Sequence, residues 1–511
     1  LYQRLELTGL GVLLASLLFI WLMSKRTAPP GSAGSPPRDG LFRASHPRWL
    51  HLVVAVAVLV VALAGRRLVL FDFDLAMDEY ASWFQARIFA EGRLRAPVDA
   101  AWSGLTQALT PIFIGAEERS STWASTYLPV FASLRAGALV LGAEGALNPI
   151  LTALSVLLVW KICRQVWPGE GDTAVAGIVL FAATPQVLVN AMTGYAMPAH
   201  LAANLFWIVL WLSPGRAAVL GLPILGGLAA GLHNPFPHAL FVAPFLVASV
   251  RRWSVRRLVY TGAVYASFVL SWWLWLKAFH PQATDSAGPL AIFSLPGLSQ
   301  VPLQAMNLAL LATWQAPGAI LLAAVALSAR ARMPAPVRLA AIGLLSSFAF
   351  YVLFPASQGH GWGYRYVHGA LAGSMLLGVH GYRIVRDRCR EGVARRVLVA
   401  GTLAALLVAI PVRFLQVREF AKPFAAAQES ISRIPADAVV VDVFSAWYAW
   451  DLVRNDPFLR DRPVILNLWR LSPPQREQLV AGHGWRVFAV GEPFLASAGL
   501  TTFKPRPRER R

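Results

Sequence analysis

Charge is what this chain lacks most. Only 14% of its 511 residues are Asp, Glu, Lys or Arg, against roughly a quarter in soluble domains, so little of its surface is built to face water. Acids are scarcer still, at 26 against 46 Lys and Arg. Cysteine is nearly missing: Cys163 and Cys389 are the two, both at or just beyond the ends of apolar runs. That argues against a disulfide and offers no metal–thiolate spacing. Long blocks of like charge are also absent. The formal +20 is scattered in twos and threes of Arg between apolar runs, which makes no basic arm or groove, so nucleic acid is not an expected partner. No internal repeat with a convincing period is found.

What is present is apolar: 56% of the residues are hydrophobic. Runs long enough to span a bilayer, or nearly so, lie at 7–23, 50–65, 147–163, 173–190, 198–212, 217–232, 238–250, 259–277, 303–328, 338–354, 367–382 and 397–412. The expectation is an α-helical polytopic membrane protein of about 12 transmembrane helices, with one or two of the shorter runs as half-helices. The chain begins at Leu1, not Met, and completeness of the N-terminus is left open. Run 7–23 is read as a span because no small-residue cleavage site follows it. Lys and Arg set the orientation. One set of alternate loops carries Lys25, Arg26, Arg38, Arg43 and Arg48, then Lys161 and Arg164, Arg216, and Arg251, Arg252, Arg256 and Arg257. It continues with Arg330, Arg332 and Arg338, and with a run of six Arg from Arg383 to Arg396. The opposite short loops hold Arg365 alone, so the first set is expected in the cytoplasm and both cysteines with it.

Three segments on the other side are too long to be connectors: 66–145, 280–300 and the tail 413–511. The expected division is an N-terminal span and linker (1–48), a transmembrane domain (49–412) and an external accessory domain (413–511). The tail reads as a small α/β unit. Ala438–Val443, Pro463–Leu466 and Trp485–Val490 look like buried strands, and 473–482 like a short helix with Pro early and Gly after it. It holds no Gly-rich phosphate loop and no nucleophile motif.

The segment after the second run is the most informative. Asp72, Asp74, Asp78 and Glu79 fall within eight residues, and Trp83, Phe84, Arg87 and Ile88 follow at helical spacing until Glu91-Gly92. This describes an amphipathic surface helix with carboxylates at its start. One reason is bland, since acids suit the positive end of a helix dipole. The other is chemical: a carboxylate in a partly desolvated place can have a raised pKa fit for taking a proton from an acceptor hydroxyl or amine.

The stretch "MDEYASWFQARIFAEGRL" resembles the acidic signature of GT-C glycosyltransferases of the protein O-mannosyltransferase and aminoarabinose-transferase type. "STYLPVFASLRAGALVLGAEGALNPILTALSVLLVWKICRQVW" and "GHGWGYRYVHGALAGSM" resemble later stretches of that family. The resemblance touches positions from about 50 to 380. It implies transfer of a sugar from a polyprenyl-phosphate donor to a lipid, glycan or protein acceptor on the periplasmic face of a bacterial inner membrane, with inversion. It implies Asp78 as the base that activates the acceptor and Glu79 as its support. Arg365, with Tyr364 and Tyr366, falls where a basic–aromatic pair is expected near the lipid phosphate. Two departures stand out: Ser125–Pro129 has no Lys before its proline, and 193–200 has no acid, although His200 offers a polar group there.

His200, His233 and His238 lie at external ends of runs, and His360 and His368 flank Arg365. Ionisable groups at membrane depth are costly, so His360, His233, His238 and His200 are candidates for contacting donor phosphate or sugar hydroxyls. Each is equally readable as a satisfied interfacial residue. No zinc spacing is present and no cofactor is expected, with a divalent ion at Asp72, Asp74, Asp78 and Glu79 the alternative. Interface belts account for most of the Trp residues, with Trp362 the exception, a candidate to stack on a sugar. The competing classes are a polyprenyl-lipid flippase or transporter, which should show discontinuous helices and mid-membrane charges, and a non-catalytic assembly factor.

Overall fold

The computed structural model describes residues 2–25, 49–117, 121–279, 297–329, 332–353, 358–481 and 484–503. Arg26, Arg38, Arg43, Arg48 and Arg330, and most of the expected loop 280–300, lie outside the described residues. The protein is a multi-pass membrane protein. Among the described residues six helices are long and apolar enough to cross a bilayer: Glu6–Ser24, Leu50–Leu68, Glu144–Val166, Val255–Phe279, Ala335–Val352 and Val393–Ser432. Two more expected runs are bent pairs. Gly171–Ala182 turns by 61° into Pro185–Ala191, and Leu298–Thr313 turns by 105° into Pro317–Ser328. The break falls at a proline each time, where the ring lacks an N–H and bars the preceding residue from helix. The remaining runs become helices of 15 to 17 residues: Met197–Leu212, Arg216–Ala230, Phe236–Val250 and Ala372–Arg388.

Close backbone approach holds the bundle where helices cross. A Cβ at Gly381 would overlap the carbonyl oxygen of Leu322, and one at Gly373 would come within 2.5 Å of that of Ala340. Small residues at these positions let helix 372–388 lie directly on both neighbours, as membrane interiors favour.

Two small sheets sit at one end of the bundle. Segment 66–145 contributes an antiparallel one, with Ala96–Pro97 (β1), Ile114–Glu117 (β2) and Thr122–Ser125 (β3) in the order β1-β3-β2. The tail contributes a parallel one. Ala438–Val441 (β4) is central, between Val464–Asn467 (β5) and Val487–Val490 (β6), with helix Pro473–Ala481 in the β5–β6 crossover. The last span does not stop at 412 but continues through a π-helical turn at Ala405–Ala409 to Ser432, so the tail opens as helix.

Helix Met77–Ala90 is not the one-faced surface helix that its spacing suggests. Tyr80, Ala81, Ser82, Phe84, Gln85, Ala86 and Ile88 are all buried. The tail covers the side that local sequence leaves open, and one apolar core joins Met77, Tyr80, Phe84 and Ile88 to Ala438, Val440, Val464 and Leu466. Trp123 Nε1 donates to the carbonyl of Pro457 (2.7 Å), and Tyr80 donates to that of Asn455.

Midway along the last span a buried ion pair fixes the N-terminal helix. Arg413 donates through both terminal nitrogens to Glu6, each at 3.0 Å, with Thr313 and Trp314 donating to the same carboxylate. Glu6→Leu leaves that guanidinium buried and unpaired, and is expected to cost about 3–5 kcal/mol. The double variant Glu6→Leu/Arg413→Leu should recover most of the loss. Thermal unfolding in detergent checks both, and equal losses in single and double variants would mean that the pair does not tie these helices.

Candidate active site

The chain leaves helix 50–68 through a strained corner, with Phe71 and Asp72 at φ +59 and +53, in the left-handed region that L side chains avoid. Asp74–Leu75 is then gripped from the tail, because Arg454 donates to the carbonyls of Asp74 (2.5 Å) and Leu75 (2.8 Å). Helix 77–90 starts there. Glu79, at its third position, reaches back to accept from Ala76 N (3.3 Å) and accepts from Gly194 N (2.7 Å). Arg135 closes the arrangement from helix Val130–Val140. It donates to Glu79 O (2.8 Å), Ser82 Oγ (2.9 Å), Gly194 O (3.3 Å) and Asp74 Oδ2 (2.8 Å), and it pairs with Glu144. These bonds aim Asp78, the second residue of the helix, the other way.

Asp78 faces a cavity of about 860 Å³. Its Oδ2 accepts from Arg365 Nη1 at 2.6 Å and its Oδ1 accepts from Tyr127 Oη. Tyr127 packs against His233, with ring centroids 3.8 Å apart and the planes tilted by 36°. Arg365 is held in turn by its backbone N–H to Gln358 (2.9 Å), and it lies over the rings of Tyr195 and Tyr366. Its chain passes so near Gly361 that a Cβ there would meet Arg365 Cδ at 2.8 Å.

Of the expected site residues, the cavity gathers Asp78, Arg365, Tyr366, His360, His233 and His200 on its walls. His360 Nε2 lies 2.8 Å from Asp451 Oδ2. Glu79, Tyr364 and His238 stand behind the walls. Tyr364 packs against Phe348, and His238 bonds to Asn204 (2.7 Å) and Tyr265 (3.1 Å). Trp362 is buried against Trp314 and Phe420, so its ring is not offered to a ligand. The acids do not converge on one point. Asp72 pairs with Arg66 and Arg67, Asp74 with Arg66 and Arg135, and Asp78 with Arg365. Among the described residues no group of three or more His, Cys, Asp or Glu is placed to hold a metal ion.

Tyr127, Tyr448, Trp450 and Asp451 also line the cavity and were not singled out. Tyr127 stands in the "STYLP" stretch, where the sequence departs from the family it resembles by having no Lys, a departure that marked the place without naming the residue. The other three come from the tail, whose local pattern shows only strands and a helix.

Electrostatically the two neighbouring acids diverge. Burial alone would raise Asp78, but the Arg365 guanidinium and the hydrogen bonds from Tyr127 and Arg365 hold it below its ordinary value, so it is ionised. Burial and the adjacent Asp74 charge push Glu79 up to about 8, so at neutral pH it is protonated. Burial brings His233 down to about 4, which keeps it neutral.

A pH dependence of stability follows from Glu79. The folded state keeps its proton up to about 8, whereas the unfolded chain releases it near the ordinary 4.5. The contribution is therefore complete below 4.5 and is lost as pH rises from there through 8. Glu79→Gln, always neutral, should flatten that decline, gaining on wild type most above pH 8. Unfolding midpoints of the two proteins across this range check it, and parallel declines would show that another group titrates.

No family model matches the sequence, and no curated protein matches it. Solved structures do. The crystal structure of ArnT from Cupriavidus metallidurans bound to undecaprenyl phosphate aligns with a TM-score of 0.52 at 16% identity, over 81% of this chain and 85% of that one. The apo state of that protein gives 0.49 at 16% identity, over 80% and 84%. The oligosaccharyltransferase of Archaeoglobus fulgidus, in a complex with zinc and sulfate, gives 0.44 at 14% identity, over 81% and 62%. The first likeness shows which fold the chain has: the polytopic membrane fold of that ArnT structure.

Proposed function

We propose that the protein is an integral-membrane glycosyltransferase that moves a sugar from a polyprenyl-phosphate donor to an acceptor hydroxyl or amine, with inversion. The observation that carries this reading is the Asp78–Arg365 pair on the wall of the large cavity, an ionised carboxylate beside a fixed guanidinium. A base must be deprotonated before it can take a proton, and Asp78 is. A leaving phosphate needs a cation with forked donors, and Arg365 supplies one. His233, His200, His360 and Tyr366 stand on the same walls to meet sugar hydroxyls. Phe236, Phe350, Ile112 and Phe113 offer apolar surface to a prenyl chain. Undecaprenyl phosphate bound to the ArnT structure of like fold supports the donor class. The charge asymmetry of the loops supports a periplasmic cavity in a bacterial inner membrane.

In the reaction, the acceptor oxygen attacks the anomeric carbon opposite the phosphate while Asp78 takes its proton. The bond from that carbon to the phosphate oxygen breaks, and polyprenyl phosphate leaves on Arg365. The two bent helix pairs keep a flippase as the second reading, since discontinuous helices are a transporter feature. Transfer from a panel of radiolabelled polyprenyl-phosphate sugars, in membranes holding wild type or Asp78→Asn, separates the two. Wild-type transfer that falls roughly 10²–10⁴-fold in the variant is expected of a lost base. Full activity in Asp78→Asn would remove Asp78 from the chemistry. Translocation of the lipid without any transfer would favour the flippase.

A further inference from the structure

Asp78 is held at both of its oxygens, Oδ1 by the Tyr127 hydroxyl and Oδ2 by Arg365 at 2.6 Å. A carboxylate so engaged is a poor base, because each donor favours the charged form and opposes proton uptake. Arg365 has donor capacity beyond this bond, since its Nε is buried with no hydrogen-bond partner among the described residues. A guanidinium fork matches carboxylate and phosphate alike, so an arriving phosphate and Asp78 compete for the same N–H.

We propose that the Arg365–Asp78 contact is a latch released by the donor, and that Tyr127 is the positioning residue that keeps Asp78 aimed once the latch opens. The proposal rests on the reading of Asp78 as base and Arg365 as phosphate site. The donor's phosphodiester draws Arg365 away from Oδ2. The carboxylate, still held at Oδ1, then has a free oxygen facing the cavity for the acceptor's proton. The acceptor oxygen bonds to the anomeric carbon, and the electrons of the broken carbon–oxygen bond stay with polyprenyl phosphate. That product has gained a charge while Asp78 has lost its own, so Arg365 stays with the product. Loss of the proton from Asp78 restores the competitor and lets the product go. The groups facing Asp78 are Tyr127, Arg365 and His233. His200, His360, Asp451 and Tyr366 stand elsewhere on the cavity wall, and Glu79 and Asp74 lie behind it.

The test uses the full-length protein in detergent and farnesyl methyl phosphate, a phosphodiester with no proton to exchange near neutrality, titrated calorimetrically. Asp78→Asn removes the competitor and should bind the probe about tenfold more tightly than wild type. Asp451→Asn removes a charge from the same wall without touching Arg365 and should change affinity little. Equal tightening in both variants, or none in Asp78→Asn, overturns the latch. Arg365→Gln should lose the probe, and binding as tight as wild type there would instead overturn the phosphate reading beneath it. Tyr127→Phe tests the other half through the pH profile of transfer. Removing a donor from Asp78 should move the acid limb of kcat up by about one pH unit while the donor KM holds. An unmoved limb would show that Tyr127 does not act through Asp78.

Discussion

One buried guanidinium organises this end of the molecule. Arg135 is 3% exposed, and its donors reach Asp74, Glu79, Ser82, Glu144 and Gly194. These residues belong to the strained corner, the start of helix 77–90, the turn before helix 147–166 and the loop before helix 197–212. A buried cation without partners would be far too costly to keep, so these four segments must stay with the helix that carries Arg135 as long as it is buried. Asn148 adds to this by donating to the carbonyls of Thr193 and Tyr195, both at 2.7 Å. The direction in which Asp78 points is a consequence, since its neighbours on either side are already committed.

The same arrangement explains how Asp78 and Glu79, adjacent in sequence and both buried, differ in charge. Successive helical residues point about 100° apart, so one turns to the cavity and the other to the loop at Gly194. Asp78 meets a side-chain cation there. Glu79 meets only backbone N–H groups, with a second carboxylate close by. A full positive charge outweighs the desolvation of a carboxylate and two amide dipoles do not.

The parts legible in the sequence were those written in local composition. Apolar runs marked the helices, three β-rich stretches marked the tail sheet, and the acidic cluster and the lone Arg365 of the short loops pointed to residues that meet at 2.6 Å. Fine structure within runs was less legible. Run 303–328 reads as one segment because Trp314–Pro317 carries no charge, yet the break before Pro317 turns it by 105°. What could not be read was anything assembled across distance. Helix 77–90 shows one apolar face locally, and its burial depends on residues 438–466. Tyr127 carries no charge to set it apart, and Asp451 acquires its place beside His360 only through the tail's fold.

The last span and the base of the tail form a single rod of 40 residues, Val393–Ser432. At 1.5 Å per residue it is about 60 Å long, twice the roughly 30 Å of a bilayer's hydrocarbon core. Phe420 and Phe424 on it pack against His360 and share a core with Val439 and Val441 of the tail sheet. A rod of this length, tilting about a point in the lipid, would work as a lever. Ten degrees of tilt would carry the far end by about 5 Å over the roughly 30 Å that projects, and spans tilt by this much to match bilayer thickness. Such a tilt would move the tail residues on the cavity wall, Tyr448, Trp450 and Asp451, against those of the bundle.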